Sequence, residues 1–263
     1  MTPETEPADP LWRSRDGRAR AVRRPDGRWQ LRLPATAQDA WPELVGELRQ
    51  GVTGTVITTA PEDPWSAPLL RAAGLVPVRR IQHWSVPIDA EYLAHIGVLP
   101  GDEPASPRHP TAHRLLRVTD ADPAAVVSLD NTLRHEIPGT AGWQGTEADL
   151  REDLASAAFD PELYLVVQDK RSGDYAGLIR VWLNEDGPRL GCVAVRPAVR
   201  GTRVTGALIR AVATELVRRG YHRIIAETAA THRAAVRLAR RLGASATRVE
   251  VEWATPDGDG PAN

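Results

Sequence analysis

Val193-Ala194-Val195-Arg196-Pro197-Ala198-Val199-Arg200-Gly201-Thr202-Arg203-Val204-Thr205-Gly206-Ala207-Leu208 begins as an apolar, β-branched run, turns at Arg-Gly, and ends in residues of helical spacing. A strand that delivers the chain through a short turn into a helix aims free backbone N–H groups, and the positive end of the helix dipole, at one point. That point suits an anion such as a pyrophosphate. Downstream, Val204, Ala207, Leu208, Ala211, Val212 and Leu216 keep helical spacing until Gly220, a stop signal. Arg223 to Glu227 reads as a strand. Ala235, Leu238, Ala239 and Leu242 trace a second helix ending at Gly243, and Arg248 to Trp253 alternates as a final strand.

Upstream, Arg114 to Val118 reads as a short strand, followed by a helix from Asp122-Pro123 to about Arg134, with the aspartate as N-cap and the proline in the first turn. The irregular stretch Glu136-Ile137-Pro138-Gly139-Thr140-Ala141-Gly142-Trp143 comes next. Thr146 and Asp149 then resemble a capping box opening a helix to about Ala158. Leu163 to Gln168, Ala176 to Leu183 and Leu190 to Val195 are apolar runs separated by Ser172-Gly173 and Asp186-Gly187-Pro188 turns, the pattern of an antiparallel meander. Near the N-terminus, Thr59, Ala60, Leu69, Gly74 and Trp84 match Thr228, Ala229, Leu238, Gly243 and Trp253 at an offset of 169 residues. Both segments read as strand, helix ending at glycine, and strand ending in tryptophan. We take the first as a partial second copy of the fold.

The strand followed by Val195-Arg196-Pro197, then Arg200 to Gly206 opening a helix, resembles the signature of the GNAT acetyltransferase superfamily. Thr231 to Ala244 looks like that family's second element, a polar residue followed by a helix. The resemblance spans about Arg114 to Trp253 and implies an α/β fold: a mixed, mostly antiparallel GNAT-type sheet flanked by helices, here with a second, smaller α/β domain. It also implies acetyl-CoA as acyl donor. Backbone groups of Val193, Ala194 and Val195 are then expected to hold the pantetheine arm, with Arg200, Gly201, Thr202, Arg203, Val204, Thr205 and Gly206 around the pyrophosphate and His232 at the second helix. The motif is degenerate. Arg203 and Thr205 stand where the family has small residues, His232 where it often has asparagine, and Ala239 where many members carry a tyrosine that protonates the departing thiolate. Arg203 is expected either to pair with phosphate or to fill the slot.

Transfer to an amine needs a base and an oxyanion donor. Glu136 and His135, beside the loop that borders the acceptor cleft in this fold, and Glu227, on the strand beside the acyl donor, are the candidate bases; each also has an ordinary reading as a cap or surface group. Cys192 reads as a proton donor or a small apolar side chain, and Trp143 and Trp182 as walls of an acceptor groove or as core residues. No spacing suggests a metal site or a Ser-His-Asp arrangement.

Composition narrows the classes. A chain of 263 residues with 42% hydrophobic and 25% charged residues expects a packed soluble fold. The formal charge of -1 argues against nucleic-acid or anionic-membrane binding, and the arginine excess, with Lys170 the single lysine, reads as genome bias. One cysteine excludes internal disulfides and fits a cytoplasmic protein. The expected organisation is a flexible tail over 1–10, an N-terminal domain over 11–99, a Gly/Pro-rich linker over 100–112, an acyl-CoA-binding domain over 113–254 and a tail over 255–263. The expected function is N-acetyl transfer to a small-molecule or peptide amine by a monomer or homodimer. The alternatives are a catalytically decayed binding or regulatory module and a transferase using another acyl donor.

Overall fold

The computed structural model describes residues 11–89, 91, 112–140 and 142–256. The tail over 1–10, nearly all of the linker over 100–112 and most of the tail over 255–263 lie outside them. The first half contains β1 (Leu11–Arg13), β2 (Arg20–Arg23), β3 (Trp29–Arg32), α1 (Trp41–Gly51), β4 (Val56–Pro61), α2 (Ser66–Ala72) and β5 (Val76–Pro87). The second contains β6 (His113–Arg117), α3 (Pro123–Arg134), α4 (Glu147–Ala155), β7 (Tyr164–Asp169), β8 (Tyr175–Asn184), β9 (Gly187–Val195), α5 (Val204–Arg218), β10 (Arg223–Ala229), α6 (Arg233–Arg241) and β11 (Ser245–Ala254).

Local chemistry accounts for these elements. The capping box is present: Asp149 N–H donates to Thr146 Oγ1 at 3.2 Å, and Thr146 N–H donates to Asp149 Oδ2 at 2.5 Å. The helix it opens ends at Ala155, short of Ala158. Asp122 occupies the N-cap of α3 but makes no side-chain cap bond. Its backbone N–H donates to Tyr175 Oη instead. In α5 the buried residues Val204, Leu208, Val212, Ala213 and Leu216 recur at helical spacing, and each fully buried leucine among them stabilises the fold by about 2 kcal/mol.

All strands join one sheet in the order β1-β2-β3-β4-β11-β5-β10-β9-β8-β7-β6. β7 to β9 form the expected antiparallel meander, and β6 adds to it antiparallel beside β7. Side chains alternate across it: Leu165 and Val167 pack toward α5, while Tyr164, Val166, Leu178 and Cys192 pack under α3 and α4. A third core joins Leu31, Trp41, Leu44, Leu48 and Leu70 of the first half to Trp253.

The internal repeat is longer than the sequence echo. Three strands, a helix, a strand, a helix and a strand recur in both halves, and β3 pairs parallel to β4 as β9 does to β10. The glycines at equivalent positions, Gly74 and Gly243, both adopt left-handed φ, 78° and 68°. The last strands are exchanged. β5 lies between β10 and β11, antiparallel to both, and β11 lies between β4 and β5. Each half therefore completes the other half's sheet.

Candidate functional site

β9 and β10 share a single bridged pair, Ile225 with Arg189, and then splay. Val193, Ala194 and Val195 remain paired with β8 on one edge, while their other edge faces the gap. A cavity of about 510 Å³ fills that gap. Its walls include Val193 to Val195 from β9, Thr205 and Ile209 from α5, Glu227 to Ala229 from β10 and Ala235, Leu238 and Ala239 from α6. Leu133 to Thr140 contributes the third side except for His135 and Gly139, and Arg79 and Ile81 reach in from β5.

The start of α5 leaves main-chain N–H groups free. Gly201 turns the chain at φ 74°, and the first main-chain bond of the helix runs from Ala207 N–H to Arg203 O. Thr202 Oγ1 accepts from Val204 N–H, leaving Thr205 and Gly206 N–H without partners among the described residues. A Cβ at Gly206 would meet nothing within 4 Å, so the approach is open. Arg203 is exposed at the N-cap and outside the cavity lining; it does not fill the slot. Arg200 does line it. Its Nε donates to Val195 O at 3.3 Å, and its guanidinium pairs with Glu136 at 2.6 Å.

Of the remaining candidates, Glu136, Glu227 and His232 line the cavity, Gly201, Thr202, Val204 and Gly206 lie outside its lining, and His135 is an exposed C-cap residue outside it. Partial burial pushes the His232 imidazole below its ordinary range, while the Glu136 carboxylate opposes that shift. Glu227 sits 3.6 Å from Arg189 and 3.7 Å from His83. Cys192 lines the cavity but is buried in the core under α3, and burial raises its thiol pKa, so it is inert at neutral pH. The two tryptophans considered as groove walls are not in the lining. Trp143 is stacked by Arg134 at 4.0 Å and Arg24 at 5.6 Å; Trp182 is stacked by Arg180 at 5.4 Å. The Trp182 indole also occupies the space beside Gly191, where a Cβ would come within 2.7 Å of its Nε1.

Residue reasoning on the sequence singled out no residue of the first half for the site. Arg79 joins Glu252 at 2.7 Å and the Pro138 carbonyl, while Arg24 donates to Gly139 O at 3.3 Å and Arg28 donates to the same carbonyl, so the first half holds the 138–139 loop at the cavity. The equivalent gap within the first half is closed. Thr58 Oγ1, fully buried, donates to Leu31 O across β3 and β4 at 3.0 Å, and Trp41 occupies the helix start with its Nε1 on Pro34 O at 2.9 Å. Among the described residues no group of three or more His, Cys, Asp or Glu could hold a metal ion, and no helix is long and apolar enough to cross a membrane.

Residues 129–244 match the family model for the acetyltransferase (GNAT) family. The fold resembles a GCN5-related N-acetyltransferase from Sphaerobacter thermophilus at 22% identity and a TM-score of 0.63, covering 93% of this chain and 79% of that one. A tandem GNAT protein from the clavulanic acid biosynthesis pathway aligns at 15% identity and a TM-score of 0.63, again over 93% and 79% of the two chains. A GCN5-related N-acetyltransferase from Kribbella flavida aligns at 17% identity and a TM-score of 0.57 over 95% and 90%. At such identities the likeness establishes fold. No curated protein sequence matches the chain.

Proposed function

We propose that this chain, whose residues 129–244 form a domain of the acetyltransferase (GNAT) family, is an acyl-CoA-dependent N-acetyltransferase acting on a small-molecule or peptide amine. The observation that carries the reading is the splay between β9 and β10, which ends at a helix with free N–H groups at its start. Acetyl-CoA would supply an activated thioester carbonyl. The unpaired edge of Val193 to Val195 binds an extended amide-bearing arm by strand-like hydrogen bonds and provides an N–H donor to the carbonyl oxygen. Thr205 and Gly206 N–H, with Arg200, receive the pyrophosphate charge.

Glu227 is the preferred base. It faces the cavity from β10, its side chain is 36% exposed, and the Arg189 guanidinium lies 3.6 Å from its carboxylate. Glu136 is occupied by Arg200 and acts as the gatepost of the phosphate end. The amine enters between Glu227 and the Pro138 to Thr140 loop, loses a proton to the carboxylate, and meets the carbonyl with its lone pair.

A second reading, an acyl-CoA-binding module without transfer, is favoured by Ala239, an aliphatic residue on the wall where a thiolate would need an acid. Thermal denaturation with millimolar acetyl-CoA tests binding. A rise of several degrees is expected, because a ligand for the native state alone stabilises it by mass action. No rise refutes both readings. Thiol release from acetyl-CoA in the presence of primary amines then separates them.

A further inference from the structure

The strand exchange brings a histidine of the first half behind the proposed base. His83 of β5 lies opposite Glu227 of β10 and opposite Arg248 of β11. Its imidazole is 4% exposed, with Nδ1 3.7 Å from Glu227 Oε1 and Nε2 3.1 Å from Glu250 Oε2. The second contact is close but poorly aligned, so Nε2 makes an ion-pair approach without a well-formed hydrogen bond. Only Glu227 of the three touches the cavity. The other charged groups facing them are Arg189 of β9, 3.6 Å from Glu227, and Arg248 of β11, 3.3 Å from Glu250. The His83 contact and Arg248 both hold the Glu250 carboxyl below its usual range.

A buried structural histidine needs one acceptor to set its tautomer. This one has a carboxylate at each ring nitrogen, so a proton accepted at one nitrogen can be matched by a proton given up at the other. The three groups also come from three strands and from both halves of the chain, and they run from the cavity wall to Glu250, whose side chain is 20% exposed. That arrangement leads from a reacting amine to solvent.

We propose that Glu227, His83 and Glu250 form one proton-handling unit, in which Glu227 takes the proton of the acceptor ammonium and His83 orients that carboxylate and carries the proton on to Glu250. The inference rests on the transferase reading. The ammonium N–H bond breaks as an O–H bond forms on Glu227; this proton passes to Nδ1 as the Nε2 proton passes to Glu250, which releases it to water. The nitrogen lone pair forms the amide bond as the C–S bond breaks, and the second nitrogen proton ends on the departing sulfur. Net, one amide, one thiol and one proton are produced. For transfer, the 3.7 Å contact must tighten to about 3 Å, the usual range for catalytic contacts on substrate binding. His83 is a positioning residue and proton carrier, and it gives the first half a chemical task in the second half's site.

The test is thiol release from acetyl-CoA with spermidine, glucosamine and a free-amino peptide as probes, measured across pH for the wild type, Glu227→Gln, His83→Gln and Glu250→Gln. Glu227→Gln is expected to lower kcat about 100-fold or more. His83→Gln and Glu250→Gln are expected to lower kcat about tenfold and to displace the acid limb of the pH profile, with KM for acetyl-CoA within about twofold of wild type. Thermal shift by acetyl-CoA reports folding of each variant, and Glu250→Gln carries the test alone if His83→Gln does not fold. A wild-type pH profile and kcat in the folded variants overturn the inference and leave the transferase reading standing. Failure of the wild type to release thiol with all three amines overturns both.

Discussion

Glu252→Ala probes how the exchanged strands hold the acceptor side of the cleft. The carboxylate is 2% exposed, 2.7 Å from Arg79 and 3.8 Å from Arg28. Removing one partner of a buried ion pair costs about 3–5 kcal/mol, because the other charge stays buried without compensation. Arg79 and Arg28 are 18% and 23% exposed, and both keep carbonyl contacts to the 138–139 loop, so the lower end applies, about 3 kcal/mol. For a chain of this size that corresponds to a fall in Tm of roughly 6–12 °C. Urea unfolding followed by tryptophan fluorescence measures it. The double variant Arg79→Met with Glu252→Met removes both charges and keeps volume, and it should recover all but about 1 kcal/mol, since a buried pair is close to neutral against apolar residues of similar size. A loss below about 1 kcal/mol for Glu252→Ala, or a double variant as unstable as the single one, would refute the view that this pair joins the halves.

Other outcomes follow from the same contacts. Gly177→Ala places a Cβ 2.6 Å from Val195 Cγ1 and 2.8 Å from Ala194 O, so it should destabilise by about 2 kcal/mol and abolish the acetyl-CoA thermal shift, whereas Gly206→Ala, facing open space, should keep wild-type stability in the absence of ligand. Glu136→Gln frees Arg200 at the phosphate end; stability should change by less than about 0.5 kcal/mol, while calorimetry should read tighter acetyl-CoA binding. Arg218 and Arg219 lower the Glu215 carboxyl to about 2, so its unfolded form binds the proton more readily and its contribution to stability is present above the unfolded value of 4.5. Glu215→Gln should therefore lose about 1 kcal/mol at neutral pH, and the difference from wild type should shrink as pH falls from 4.5 toward 2.

Much of the second half was legible before any coordinates. Periodicity alone located α5 and α6, the Thr146 and Asp149 pair announced α4, and Val193 to Gly206 announced a strand, a turn and a helix, because each of these signals depends on residues close in sequence. The echo of Thr59 to Trp84 in Thr228 to Trp253 disclosed a repeated strand, helix and strand for the same reason. Its remainder was hidden, since β1 to β3 and α1 share architecture but little residue identity with β7 to β9 and α5. Trp143 and Trp182 also left the groove, each held by an arginine that no local pattern links to it.

What sequence by itself determined, then, is which segments are strands and helices and where a strand turns into a helix start with free N–H groups. Only tertiary structure decided that β5 and β11 change places, that Arg203 points outward while Arg200 faces the cavity, and that His83 of one half stands between Glu227 and Glu250 of the other. The physical reason is range. Helix periodicity, caps and turns are written in residues a few positions apart, whereas the register of strands more than a hundred residues apart is set by how whole faces pack, and that register puts the charges of this site together.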